Sequence, residues 1–538
     1  MQRLSLLTGT LITLLLLTLA TTLLTTLFDF QTIEDFTTIE PRVWSLLRFT
    51  LYQAFLSTLL SIIVGGILAW SLAHQSRFFG RSFLVALFSS SLVLPTLVVV
   101  FGLITLLGRN GWVNQALIAL FDLSFGSYLY GLVGILVAHV YLNASFTSRS
   151  LLHAFESIPV EKYKLAKSLG FGVWRRFWWV EFPVLKPTLL SVASTIFLLC
   201  FTSFAIVLIL GGSPAYNTLE VAIYEAVKLD FDIPMALKLA LIQLSISAIL
   251  VIFSAGFKSD GANLKTSSYT VSWREKPLVR YFQYMIIALF GLFFTLPLVA
   301  IVVDGMGADF AKIFGEELFQ TSLKTSLLLA TLSASMVVIL ALFLSDLRRS
   351  FLLDTRLKGR KFAKLFNGMV AFAGNLYLAI PSLILGLGFF LLAQRYEMIS
   401  MEAWTWIALI TANVLMALPF ALSVLTPAML KIAQRYDRLV FSLGLSGWER
   451  WRYVELPYLR SSLGYIFALA FCFSLGDLGV IALFGSEELS TLPWYLYELM
   501  GSYRTSDASG VALVLLGITL SAFILLPKLL GERRVNHQ

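Results

Sequence analysis

The chain has 538 residues, of which 58% are hydrophobic and only 13% charged, with a mean hydropathy of +0.84 and a formal net charge of +9. Soluble domains carry roughly 25% charged residues, so a water-soluble globular class is excluded. The lysines and arginines lie in short clusters between apolar runs, without a continuous basic stripe, which excludes nucleic-acid binding and fits the inside-positive bias of membrane loops.

The first predicted span covers residues 4–28. Met1-Gln-Arg before an apolar run has the form of a signal peptide, but the run exceeds an ordinary h-region and lacks a clear small-x-small cleavage site. It therefore reads as a membrane helix. Eleven further windows are long enough to cross a bilayer: 48–73, 82–107, 129–150, 189–211, 234–257, 281–303, 320–345, 367–392, 404–429, 461–484 and 509–530. Alternate loops are basic, as with Arg77 and Arg81, Lys162 to Arg176, Lys258 to Arg280, Arg348 to Lys361, and Lys431 to Arg452. The opposite loops are mildly acidic, including the stretch 28–44, Asp230 and Asp232, and Glu487 with Glu488. The positive-inside rule then puts both termini in the cytoplasm. Windows this long exclude barrel strands, so the predicted fold is an all-α polytopic bundle of about twelve transmembrane helices.

The polar stretch 258–280 reads as a linker between two halves, 1–257 and 281–538. A repeat supports that division. Residues 161–183, EKYKLAKSLGFGVWRRFWWVEFP, align with residues 435–457, RYDRLVFSLGLSGWERWRYVELP. At one shift of 274 positions, Gly170 matches Gly444, Trp174 matches Trp448, Arg176 matches Arg450, Glu181 matches Glu455 and Pro183 matches Pro457. His139 lies opposite Asn413 at that same shift, and Leu94-Pro95 opposite Ile380-Pro381 at a different one. An even number of spans per unit makes the two six-helix repeats parallel. In the matched loops, 159–183 and 433–457, a short helix ends at a glycine, as helices often do, and a second stops at a proline.

A helix–glycine–helix element between two spans resembles the cytoplasmic EAA coupling loop of ABC importer permeases. The resemblance implies that the first short helix docks on a separate ATP-hydrolysing subunit. It assigns that contact to Glu161, Tyr163, Ala166, Ser168, Gly170, Glu181 and Pro183, and to Tyr436, Asp437, Ser442, Gly444, Glu455 and Pro457. The chain departs from the family's Glu-Ala-Ala start, carrying Lys164-Leu165-Ala166 and Arg438-Leu439-Val440, with Glu161 and Asp437 as nearby acidic substitutes. It contains no G-x-x-x-x-G-K-[ST] stretch, so ATP is expected on a partner and the chain is expected not to be an enzyme. Two loops in one polypeptide imply two ATPase copies. The segments LGRNGW (107–112), FTSFAIVLILGGSP (201–214), FSLGDLGVIALFG (473–485) and STLPWYLYELMGSYRTSDA (490–508) are similar to the fused inner-membrane permeases of thiamine import in Gram-negative bacteria. Fused ferric-iron permeases share that architecture. The resemblance further implies a periplasmic thiamine-binding protein as partner.

Polar groups inside spans are costly and default to functional hypotheses. Asp477, opposite Phe204 in the first half, is a carboxylate suited to a cationic substrate, or else one hydrogen-bonded between helices. His139 and Asn143 share a helix face, with Asn413 as the repeat partner of His139; they line a pathway or bond neighbouring helices. Cys200 and Cys472 sit in apolar runs and give neither a disulfide framework nor a zinc spacing, so no metal site or cofactor is expected. A major-facilitator transporter is disfavoured because its signature loops follow the second and eighth helices, whereas this repeat follows the fourth and tenth. Four scattered histidines do not supply a membrane enzyme's cluster.

Overall fold

The computed structural model describes residues 2–29, 40–124, 126–255, 276–353, 361–395, 400–485 and 489–531. Most of the predicted linker, much of the acidic stretch 28–44 and the Glu487–Glu488 pair lie outside the described residues. The first repeat folds as α1 (Gln2–Asp29), α2 (Pro41–His74), α3 (Arg81–Ser90), α4 (Thr96–Leu107), α5 (Trp112–Phe121), α6 (Leu132–Glu156), α7 (Val160–Ser168) and α8 (Val173–Arg176). A π-helical turn, π1 (Phe177–Glu181), leads into α9 (Phe182–Phe201), α10 (Ala205–Leu210), α11 (Leu219–Lys228) and α12 (Ile233–Ala255). The second repeat runs through α13 (Pro277–Met306), α14 (Phe310–Gly315), α15 (Glu317–Leu353), α16 (Lys361–Asn375), α17 (Ser382–Arg395) and α18 (Met401–Ser442). It continues as α19 (Gly447–Arg450), π2 (Trp451–Glu455), α20 (Leu456–Leu475), α21 (Gly479–Phe484), α22 (Leu492–Gly501) and α23 (Thr505–Gly531). No strand occurs among the described residues.

Ten helices among the described residues are long and apolar enough to cross a membrane, against twelve predicted windows. The missing two have separate causes. The window at 129–150 is α6, a helix of 25 residues whose His139, Asn143, Ser145, Thr147 and Ser148 lower its hydropathy while facing inward. Polar side chains are tolerated there because they meet other helices rather than lipid. The window at 367–392 breaks between α16 and α17 ahead of Pro381, as the window at 82–107 breaks between α3 and α4 ahead of Pro95. Proline cannot donate to the helical ladder and disfavours helix in the residue before it. Two further breaks match at the shift of 274. Helix α9 ends at Phe201 and α10 resumes at Ala205, while α20 ends at Leu475 and α21 resumes at Gly479.

The helices assemble into two compact units that regroup the sequence repeats. One unit takes α1 together with the chain from Asp309 onward and residues 223–244; the other takes residues 39–222 and 245–308. The first helix of each repeat thus packs on helices of the other repeat. In the first unit, α1 lies on α15, α16 and α17: Tyr377 donates its hydroxyl to the Leu16 carbonyl at 2.8 Å, and Leu23 fills the space beside Gly388. Threonines of α1 are compatible with an apolar surface because their hydroxyls from Thr10 to Thr26 donate to carbonyls three or four residues earlier, as Thr13 does to Gly9 and Thr22 to Thr18. In the second unit, α13 lies on α2 and α4. Tyr141 stacks on Phe294 at 4.6 Å and donates to its carbonyl at 2.7 Å, Gln75 donates to Gln283 at 2.7 Å, and Trp112 donates to Asp304 at 3.1 Å. Helix α2 also lies tightly on α6, since a Cβ at Gly65 would stand 2.5 Å from the Ala144 carbonyl oxygen.

Candidate functional site

The duplicated loop has the same backbone at both copies. Helix α7 ends at Leu169, and Gly170 takes φ +64°. The Phe171 amide donates to the Ala166 carbonyl at 2.9 Å and the Gly170 amide to Lys167 at 3.1 Å, the paired bonds of a Schellman cap. In the second copy Gly444 takes φ +65°, with Leu445 donating to Val440 and Gly444 to Phe441. A Cβ at either glycine would meet nothing within 4 Å, so glycine is present for its backbone and not for space. Any residue with a side chain pays roughly 1–2 kcal/mol in that left-handed conformation.

After the glycine, each copy forms a one-turn helix and then a π-turn. An α-helix aligns residues four apart, whereas a π-turn brings i and i+5 together. The repeat uses that spacing for an ion pair. Arg176 Nε donates to Glu181 Oε1 at 3.0 Å, and Arg450 Nε donates to Glu455 Oε1 at 2.6 Å. Both reach a long helix of their own unit. Glu181 Oε1 lies 3.1 Å from Nε2 of His74 at the end of α2, and Glu455 accepts from Arg349 Nη1 of α15 at 2.5 Å. Arg349 also pairs with Asp346, and Arg450 with Asp437, both at 2.6–2.7 Å. Arg176 and Glu181 are fully buried.

The sequence-predicted contact residues therefore divide. Glu161, Ser168, Gly170 and Pro183 are exposed, as are Ser442, Gly444 and Pro457. Tyr163 and Ala166 are buried, packed with Ala69, Leu151, Phe155 and Leu185, and so anchor α7 to its own unit. Tyr436 donates to Tyr458 at 2.7 Å, and Asp437 is held by Arg450. Glu181 and Glu455, expected among the partner contacts, are internal, because the π-turn folds each back on its arginine and on a neighbouring helix. Sequence reasoning passed over the residues that the outer face does present. Leu165 and Leu169 are 61% and 60% exposed, and their repeat mates Leu439 and Leu443 are 51% and 62% exposed. Leucines four apart on a short charged helix, at the same shift in both copies, were the available signal.

The polar residues within spans have partners inside the bundle. His139 Nδ1 lies 2.8 Å from Ser57 Oγ of α2, Asn143 donates to Cys200 Sγ of α9 at 3.3 Å, and Asn413 donates to Ser474 Oγ of α20 at 3.0 Å. Asp477 lies in the break between α20 and α21 and accepts from the amides of Gly479 at 3.2 Å and Val480 at 3.3 Å, satisfying the free donors that begin α21. The matched breaks set Ser203, rather than Phe204, at its repeat position. No group of three or more possible metal ligands occurs among the described residues.

The family model described as "Binding-protein-dependent transport system inner membrane component" matches twice, over residues 61–259 and 356–536. The chain is 39% identical over 497 residues to the thiamine transport system permease protein of Salmonella typhimurium, covering 92% of this chain and 90% of that protein. It is 35% identical over the same length to the protein of that name from Brucella abortus, covering 92% and 89%. The Haemophilus influenzae protein of that name is 37% identical over 485 residues, 89% of this chain and 88% of its own.

Proposed function

Because this chain belongs to the family of binding-protein-dependent transport inner-membrane components, and carries the family's domain twice, we propose that it is the membrane permease of an ATP-driven thiamine importer. The observation that carries this reading is the repeated coupling element, with a φ near +65° at Gly170 and Gly444 and an exposed leucine pair on each short helix. Each element is the landing site for one copy of a cytoplasmic ATP-hydrolysing subunit, so one chain takes two. Leu165, Leu169, Glu161 and Ser168 form the contact in the first copy, and Leu439, Leu443 and Ser442 form it in the second. Apolar side chains on a small polar helix suit an interface core with a polar rim. The chain supplies no ATPase chemistry and needs no cofactor of its own. Both coupling elements, and both termini, then face the cytoplasm, in keeping with the basic residues of that side.

The substrate reading is supported by the names of the relatives across nine-tenths of the chain. A periplasmic binding protein delivers thiamine to the opposite face. Phe231 and Tyr503, which precede α12 and α23, suit that contact: both are exposed aromatics with backbone φ of +54° and +58°. Bulky residues in that conformation are strained and concentrate where structure serves function. Thiamine carries a fixed positive charge, and Asp477, half-buried at the helix break, is the carboxylate it meets. Asn413, bonded to Ser474 of α20 in the same unit, fixes the helix that leads to Asp477.

Proteoliposomes holding the chain, its cognate ATPase and a thiamine-binding protein test the proposal through uptake of labelled thiamine. Uptake that requires ATP and both partners is expected. Uptake that persists without ATP or without the ATPase overturns the importer reading, and ATP-driven assembly that moves no thiamine overturns the substrate.

A further inference from the structure

The two ion clusters pair their charges within the unit, fully buried in the first copy and partly in the second, and the sequence repeats them. In each, an arginine and a glutamate five residues apart are closed by a π-turn and joined to a charged or titratable side chain on a long helix of the same unit before the loop: His74 at the end of α2, or Arg349 near the end of α15. His74 and Arg349 stand 275 positions apart, within one of the repeat shift. Helix α2 packs on α6, α9 and α13, and α15 packs on α18, α20 and α1, so each is central to its unit. The rest of the seat of α7 is apolar, formed by Tyr163 and Ala166 against Ala69 and Leu151. Apolar contacts are non-directional and allow sliding, whereas charge-assisted hydrogen bonds hold one geometry. We propose that the clusters Arg176–Glu181–His74 and Arg450–Glu455–Arg349 are the rigid links that carry movement of each coupling element into α2 and α15. The inference rests on the importer reading and makes these six side chains positioning residues, not partner contacts.

The copies differ in one chemical respect. His74 Nδ1 faces the Trp70 carbonyl at 2.8 Å, and since a carbonyl only accepts, Nδ1 carries a proton. Nε2 lies 2.9 Å from Arg176 Nη2 and 3.1 Å from Glu181 Oε1, so it faces a donor and an acceptor at once. In the second copy the permanently charged Arg349 donates directly to the glutamate. Arg349 is also paired with Asp346, whose repeat position in the first copy is Leu72, so an arginine at His74 would lack that counter-charge beside Arg176. A glutamine amide, whose oxygen accepts and whose nitrogen donates, fits the place of Nε2, and a side chain without a polar end does not.

The test compares Glu181→Gln, Glu455→Gln, His74→Gln and His74→Ala in full proteoliposomes, reading three quantities: ATPase subunit retained on purification, ATP hydrolysed, and labelled thiamine taken up. Glu181→Gln, Glu455→Gln and His74→Ala are expected to keep the ATPase subunit and hydrolyse ATP while thiamine moved per ATP falls about tenfold, within the usual range of coupling between sites. His74→Gln, which can accept from Arg176 and donate to Glu181, is expected to stay within about twofold of wild type. Unchanged thiamine per ATP in Glu181→Gln and Glu455→Gln overturns the link, as does loss of the ATPase subunit together with transport, which makes the clusters part of the docking fold. Should either glutamate variant not fold, the histidine pair decides: equal behaviour of His74→Gln and His74→Ala overturns the link. Wild-type chain that takes up no thiamine with ATP overturns the parent reading, whereas normal wild-type uptake beside unaltered variants overturns the link alone.

Discussion

In the first half of the molecule the coupling helix α7 is cut from the preceding span by Pro159, while in the second half its counterpart is the end of α18, a continuous helix of 42 residues with Ala433 at the position of Pro159. The glycine turn that follows is nevertheless the same, and so is the arginine–glutamate pair across the π-turn. The closing residue differs again, a histidine on α2 against an arginine on α15. What the copies share is thus the geometry after the helix, and what they vary is how the helix is attached before it.

The strongest break of this comparison removes the shared part. Gly170→Pro with Gly444→Pro forces φ near −65° where +64° and +65° are needed. ATP-dependent thiamine uptake is expected to fall to background, and retained uptake makes the turns dispensable. Replacing the exposed leucines by glutamate one copy at a time, Leu165 with Leu169 or Leu439 with Leu443, is expected to remove about half of the ATPase subunit that copurifies, as loss of one of two apolar interface cores predicts. Quantitative gel densitometry reads this, and an unequal result separates the copies. A gentler test exchanges the variable part. Ala433→Pro gives α18 the first copy's interruption at a cost of about 3 kcal/mol. The thermal midpoint is expected to drop by several degrees while thiamine uptake survives; lost uptake makes the continuous helix a requirement of the second copy alone.

The smallest expected effect lies at the other end of the spans. Arg504 bonds Glu316 and also pairs with Asp507 at 2.7 Å, and Tyr495 donates to Glu316 at 2.5 Å; counted from the matched left-handed residues Phe231 and Tyr503, the first half has Asp232 where Arg504 stands. The Tyr495 hydroxyl, followed by Arg504, holds the Glu316 carboxyl below its ordinary value. A carboxylate depressed on folding stabilises the protein above the unfolded value, near 4.3, and loses that contribution as pH falls through the folded one. Thermal midpoints measured from pH 7 down to pH 3 are expected to decline below about pH 4 in the wild type, and the decline is expected to be shallower in Arg504→Gln. Identical curves for the two remove this cluster from the contrast between halves.

The legible part of the molecule was the part governed by local rules. Long apolar runs must be helices in a bilayer because their backbone groups have no other partner, and Gly170, Gly444, Pro95 and Pro381 mark turns and breaks through their own dihedral limits. The repeat exposed the coupling element because it compares the chain with itself. Window hydropathy failed where inward-facing polar residues make α6 polar as a whole. The burial of Glu181, Glu455, Tyr163 and Ala166 was not legible for a different reason: whether a side chain faces outward or its own core depends on a neighbouring helix that sequence spacing does not contain.

By itself, then, the sequence determined the membrane class, the duplication and the glycine-terminated element, since composition, self-similarity and backbone restriction act within a few residues. Tertiary structure alone decided that α1 and α13 join the helices of the other repeat, that the glutamates close buried ion clusters with His74 and Arg349, and that leucines face outward. Those outcomes come from packing and charge pairing between segments about a hundred or more residues apart, where each side chain's environment is set by which helix arrives beside it.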